Sequence, residues 1–236
     1  MEAIILAGGM GDRLRKVIAD RPKPMAPIGG KPFLYYLVSY LGQYNIERII
    51  LSVGYKYEII QAYFGNRFAN LIIDYAVEDE PLGTGGAIRR ALDQVSGKTV
   101  LILNGDTFFA VNFNELAEEH AVSGAMLAMA LKPFDNRAGV HRYGNVETDG
   151  PRIIGFTEKK PGFSGYINTG IYIINTQDFI QLNLSGKFSF EKDFLEKYVS
   201  RLHFHACLAN AYFIDIGVPE DYYIAKKELP EKVRES

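Results

Sequence analysis

An alternation constrains this chain more than any other feature: short apolar runs recur, each followed by a longer amphipathic stretch. Residues 3–6 read as a buried strand that ends in a glycine loop. Residues 33–44 carry Phe33, Leu34, Leu37, Val38 and Leu41 at helical spacing. A β-branched strand is expected over 48–53, a helix over 57–64 and a strand over 71–77. Residues 85–95 set Ala87, Ile88, Ala91, Leu92 and Val95 on one helical face, and the strand 99–103 stops at Asn104-Gly105-Asp106. This βαβαβα order predicts an α/β fold with a doubly wound, mostly parallel, Rossmann-like sheet. The remainder is richer in strands, expected over 125–131, 145–147, 153–157, 166–174, 202–208 and 212–216, with helices over 190–198 and 220–228. No repeat or linker interrupts the chain, so residues 1–236 read as one domain whose two halves meet near residue 110.

Composition excludes several function classes. Lys and Arg number 26 against 28 Asp and Glu, giving a net charge of −2, which argues against a protein built to neutralise a nucleic-acid backbone. Cys207 is the only cysteine, so no intrachain disulfide forms and nothing points to an oxidising compartment. The first apolar stretch is too short for a signal-peptide core, and no run approaches bilayer length. A cytoplasmic chain with no membrane partner is expected. The 15 Tyr and 15 Phe are mostly core, and leave room for a homo-oligomeric interface.

Ligands in such sheets bind at the carboxyl ends of the strands. The first of these ends reads Leu6-Ala7-Gly8-Gly9-Met10-Gly11-Asp12-Arg13-Leu14. Its glycines let backbone N–H groups come close to a phosphate, and Arg13 supplies a cation able to hold phosphate oxygens. It is not a P-loop, which ends in Gly-Lys-Ser/Thr, and Leu14 breaks the dinucleotide fingerprint. Ten residues past Gly11, Arg21-Pro22-Lys23-Pro24-Met25 sets a lysine between two prolines, which biases Arg21 and Lys23 toward extended backbone. A stiffened lysine suits a cation that must hold one position against developing charge. Asp106 and Asp215 each follow a buried strand, and magnesium commonly takes one or two carboxylates with phosphate oxygens and water completing its shell.

Leu6-Ala7-Gly8-Gly9-x-Gly11-x-Arg13-Leu14 followed by Pro22-Lys23-Pro24-Met25 resembles the signature of the sugar-nucleotide pyrophosphorylases, the nucleotidyltransferases of sugar 1-phosphates. The resemblance runs over nearly the whole chain and implies a GT-A-like fold, with nucleotide bound by residues 1–110 and sugar by 111–236. It implies that Arg13 and Lys23 are catalytic, that Leu6, Ala7, Gly8, Gly9, Gly11, Glu78, Gly83, Thr84 and Asp106 bind nucleotide, and that Asp106 and Asp215 hold Mg2+. It places Gly144, Glu158, Lys159, Asn168, Thr169 and Gly170 at the sugar phosphate, with Lys160 beside Lys159 as a second candidate. Val218 stands where the family usually has a helix-capping threonine, a loss of ~1 kcal/mol.

A carboxylate only accepts hydrogen bonds, and guanine offers adjacent N1–H and N2–H donors, so Glu78 points to GTP. Within the family the resemblance is strongest to guanylyltransferases of D-glycero-D-manno-heptose 1-phosphate, with those of mannose 1-phosphate next. Either product implies supply of lipopolysaccharide or capsule synthesis. Cytidylyl-, thymidylyl- or uridylyltransfer to another phosphorylated acceptor stays open, as does a non-catalytic nucleotide-sugar binding subunit. His203, His205 and Cys207 alternate on one strand face, but three donors in line on one strand do not make a tetrahedral metal site.

Overall fold

The computed structural model describes residues 1–9, 14, 17–18, 20–134, 143–158 and 165–233. In chain order, β1 (Glu2–Leu6) leads to a 3-10 turn (Lys23–Met25), the hairpin β2 (Pro27–Ile28) and β3 (Lys31–Pro32), and α1 (Phe33–Leu41). Next come β4 (Arg48–Val53), α2 (Tyr57–Phe64), β5 (Arg67–Phe68), β6 (Leu71–Val77), α3 (Gly83–Leu92), β7 (Thr99–Asn104) and β8 (Thr107–Phe109). The second half holds α4 (Phe113–Ser123), β9 (Leu127–Phe134), β10 (Gly144–Asp149), β11 (Arg152–Glu158), β12 (Gly165–Asn175) and α5 (Thr176–Gln181). A π-helical turn (Phe190–Leu195) continued by α6 (Glu196–Tyr198), β13 (Phe204–Leu208), β14 (Phe213–Asp215) and α7 (Pro219–Lys232) complete it.

Ten strands form one sheet in the order β10-β11-β13-β9-β12-β7-β1-β4-β6-β5. The parallel portion is β7-β1-β4-β6, as the alternation of the first half requires. Beyond β7 the pairing turns mainly antiparallel, through β12 with β7 and β9 and β11 with β10 and β13. One parallel pair, β13 with β9, interrupts that pattern.

Period-two alternation divides the apolar residues between two cores. On β1, Ala3 and Ile5 join one and Ile4 the other; on β7, Leu101 and Leu103 oppose Val100 and Ile102. The first core takes α1, α2, α4 and α7 through Leu37, Ile60, Phe113 and Ala225, the second α3 and the π-helical turn through Ile88 and Phe190. Both sheet faces are thus covered, which is what lets strands such as β4 be apolar on successive positions over residues 49–51.

Several bounds differ from expectation. Helix α1 ends at Leu41, where Gly42 begins a turn, and α3 starts at Gly83 and stops at Leu92. Helix α4, for which no apolar stripe speaks, is fixed by Asn112, whose side-chain carbonyl accepts from the N–H groups of Asn114 and Glu115. The helix expected over 190–198 opens as a π turn capped by Ser189. Val218 does precede α7 without a side-chain cap, and Pro219, Glu220 and Asp221 occupy the first turn instead.

Phe190 lies within aromatic contact distance of Tyr172, Phe179 and Phe194 and is fully buried. Phe190→Ala is expected to cost about 3–5 kcal/mol through the cavity it leaves, measured by urea denaturation.

Candidate active site

Strand register brings the site together. Leu6 sits between Ser52 on β4 and Asn104 on β7, so the chain leaves all three strands at one sheet edge. Ala7 N–H donates to the Ser52 carbonyl at 2.7 Å, Glu78 N–H to Val53 at 2.7 Å, and Gly105 N–H to Leu6 at 2.9 Å. Asp106 follows directly. Asp215 comes from more than a hundred residues away on the β8–β14 ribbon, where it pairs with Thr107, and Ile216 N–H donates to the Asp106 carbonyl at 3.0 Å.

Lys23 joins the two aspartates. Its ammonium lies 2.5 Å from Asp106 Oδ2 and 3.9 Å from Asp215 Oδ1, with the lysine 8% exposed. Burial acts to raise the Asp106 carboxyl, but the Lys23 charge and hydrogen bonds from Lys23 and Thr107 outweigh it and hold the group below the usual carboxylate range. Gly217 N–H donates to Asp215 Oδ1 at 2.7 Å and so orients the second carboxylate. The extended backbone expected at Lys23 is corrected: Lys23–Met25 is a 3-10 turn, with Met25 N–H bonded to Pro22 and Ala26 N–H to Lys23. A proline in a first helical turn forfeits no hydrogen bond, so Pro24 is compatible with that turn while still stiffening it.

Lys23, Asp106 and Gly217 line a cleft of about 540 Å³ together with Leu6, Gly8, Gly9, Ser52, Glu78, Gly83, Thr84 and Asn104, and Asp215 lies behind them, held to Lys23 and Gly217. Glu78 is pinned within the cleft: Oε1 accepts from the Ser52 hydroxyl at 3.2 Å and Oε2 from Leu82 N–H at 3.0 Å. Thr84 lines the cleft while its hydroxyl is engaged behind it, donating to Glu191 at 2.7 Å and accepting from Phe190 N–H at 2.9 Å. The glycines around it have a packing cause as well. Segment 186–190 lies across the start of α3, and a Cβ on Gly83 or Gly85 would fall 2.5 Å from the Phe188 carbonyl oxygen or 2.1 Å from its ring. Gly83 also has φ +72°, which favours glycine.

In the second half of the chain, Gly144 and Glu158 are cross-strand partners, and Asn145 pairs with both Thr157 and Ile167. Asn168 closes a turn by accepting from Gly170 N–H at 2.9 Å and donating to the Tyr172 hydroxyl at 2.6 Å. Gly170 backs against the Asn104 amide. Thr169 is buried, and its hydroxyl donates to the Ala130 carbonyl at 2.7 Å next to the β12 irregularity, which leaves its backbone as the part able to face a ligand. Gly11, Arg13, Lys159 and Lys160, together with the side chain of Glu158, lie outside the described residues. Glu191 and Ser52 escaped sequence reasoning; each acts through a partner distant in sequence, and no local signal marks either.

The model of the nucleotidyl transferase family matches residues 2–232. The chain belongs to that family. A D-glycero-alpha-D-manno-heptose 1-phosphate guanylyltransferase of Aneurinibacillus thermoaerophilus is 50% identical over 97% of this nucleotidyl transferase and 98% of the relative. One of Campylobacter jejuni is 45% identical over 94% and 97%. The crystal structure of HddC from Yersinia pseudotuberculosis complexed with GMP-PN superposes with a TM-score of 0.84 at 39% identity, covering 96% of this chain and 98% of that one. The fold of the nucleotidyl transferase is accordingly the GT-A-like, Rossmann-type one. Among its described residues no helix is long and apolar enough to cross a membrane.

The glycine-rich start of α3 yields a test by sign. Helix propensity alone makes Gly85→Ala stabilising by about 0.5–1 kcal/mol. The Phe188 ring makes it destabilising by about 1–3 kcal/mol, and calorimetric melting is expected to show a lowered Tm.

Proposed function

We propose that this chain transfers GMP from GTP to D-glycero-D-manno-heptose 1-phosphate, forming the nucleotide sugar and pyrophosphate. The observation that carries the reading is the convergence of Asp106 and Asp215 on Lys23, which lines one cleft with Asp106, Gly8 and Gly9. The two heptose 1-phosphate guanylyltransferase relatives cover almost the full chain, which supports the choice of sugar. A pinned, acceptor-only Glu78 at the cleft wall, suited to the guanine N1–H and N2–H pair, supports the choice of base.

The donor set suits magnesium. Asp106 and Asp215 offer carboxylate oxygens that already converge on a single positive charge, that of Lys23. When bound there, the ion neutralises charge on the phosphates of both substrates. The chain's residues do the rest. Backbone N–H groups at Gly8 and Gly9, with Gly11 and Arg13 as the resemblance implies, hold the triphosphate in place. A sugar-phosphate oxygen attacks the α-phosphorus in line, the bond from α-phosphorus to the β-bridging oxygen breaks, and its electron pair leaves with pyrophosphate. The attacking phosphate is already ionised, so no protein base is required. Lys23 moves its ammonium from the carboxylates to the α-phosphoryl oxygens as their charge grows. Gly144, Glu158, Lys159 and the Asn168–Gly170 turn orient the sugar phosphate, with the Thr169 backbone serving in place of its buried hydroxyl.

The chain works as one nucleotidyltransferase domain, residues 1–110 serving the nucleotide and 111–236 the sugar. It acts in the cytoplasm, supplying an activated heptose to lipopolysaccharide or capsule synthesis.

Pyrophosphate release from the four nucleoside triphosphates, each against heptose, mannose and glucose 1-phosphates, separates the readings. The fastest pair is expected to be GTP with the heptose; a preference for another nucleotide or sugar replaces the corresponding half of the assignment. Lys23→Ala is expected to slow turnover about 10²–10³-fold while the protein stays folded, measured by the same release and by circular dichroism.

A further inference from the structure

A second cluster of metal-ligating side chains lies away from the cleft. His205 and Cys207 alternate on β13 and so face the same side of the sheet. Helix α4, packed against that side, brings Glu119 to them. His205 Nε2 lies 3.5 Å from Glu119 Oε2, and one ligand atom from each of the three residues falls within 4.8 Å of the other two. Among the described residues this is the only group of three His, Cys, Asp or Glu side chains so placed. Cys207 is 4% exposed and the His205 side chain 14%, whereas Glu119 is half exposed and opens the cluster to solvent.

The objection raised by the sequence, that three donors on one strand lie in line, does not apply to this arrangement. Glu119 comes from a helix above the strand in place of His203, so the three donors surround a point instead of tracing a line. A tetrahedral ion with bonds of about 2.0–2.3 Å sets its ligand atoms roughly 3.3–3.8 Å apart. The cluster closes to that spacing when its atoms draw in by about 1 Å, within the reach of side-chain rotation. The donor types choose the ion. One thiolate, one imidazole and one carboxylate favour a borderline ion such as Zn2+ over Mg2+, which prefers an all-oxygen shell. The carboxylates of Asp106 and Asp215 have the opposite preference.

We propose that Glu119, His205 and Cys207 form a structural site for Zn2+ or a similar transition-metal ion, with water as fourth ligand. On binding, the Cys207 thiol forms the metal–sulfur bond and releases its proton to solvent. The ion ties α4 to β13, three strands from β7 and so about 14 Å across the sheet from the strand that leads to Asp106. None of the three residues lines the nucleotide cleft, and the site does not depend on which substrates the enzyme takes.

The chain's single cysteine makes the test specific, since any thiolate–metal absorption arises at Cys207. Protein stripped with chelator is titrated with Co2+ in excess Mg2+, which holds the carboxylate site, and thiolate-to-cobalt absorption is recorded. Saturation at one equivalent is expected, with the band lost in Cys207→Ser and the Kd raised tenfold or more in both His205→Gln and Glu119→Gln. Zn2+ at a hundredfold excess over its Kd is expected to raise the Tm by about 5 °C or more, and the rise should vanish in Cys207→Ser. No band at one equivalent, or a Kd unchanged by both the histidine and the glutamate substitutions, would overturn the site.

Discussion

A buried ammonium needs anions within reach, and in this chain Lys23 has two. The pair of carboxylates that meets it is costly to gather, since like charges repel and leaving the water costs free energy for each. Their grouping therefore demands a frame that brings Asp106 and Asp215 together and a cation between them. Lys23 is that cation in the structure, and it lines the cleft together with Gly8 and Gly9. Much of the fold can be understood as the frame. Parallel pairing aligns the ends of β1, β4 and β7, and the β8–β14 ribbon carries Asp215 back to them.

The same constellation explains how one set of residues suits both a resting and a reacting enzyme. Lys23 screens the repulsion between the aspartates, and oxygen donors that hold an ammonium so closely also suit a magnesium ion. The walls of the cleft are fixed by contacts outside it. Glu78 is oriented by Ser52 and Leu82, and the start of α3 is pressed against segment 186–190. Preorganisation of this kind matters where positioning and charge, not covalent chemistry, carry the reaction.

What was legible in the sequence follows from the range of each signal. The strands 48–53, 71–77 and 99–103 and the helices beginning at Phe33 and Tyr57 announce themselves by local periodicity, and they form. The glycine loop, Lys23 and both aspartates could be read as motifs, and their described members converge. Helix α4 was missed because it buries little beyond Phe113, Leu116 and His120. Its signal was present as an N-cap residue: the Asn112 side-chain carbonyl accepts from the N–H groups of Asn114 and Glu115, and its amide donates to the Glu115 carboxylate at 2.9 Å. The turn at Lys23 was misread because the extended bias of a residue before proline yields to two backbone bonds and an ion pair. The hydroxyl partners of Thr84 and Thr169 could not be read locally, since each is engaged by a group far along the chain.

Whether Asp106 and Asp215 serve one cation can be asked most directly with a double-mutant cycle. Pyrophosphate release would be compared for Asp106→Asn, Asp215→Asn and the double variant under saturating substrates and Mg2+. A shared ion predicts that the double variant is about as slow as the slower single one, because the first loss already removes what the second would. Losses that multiply would mean that the two carboxylates act separately, and would contradict the shared-cation centre.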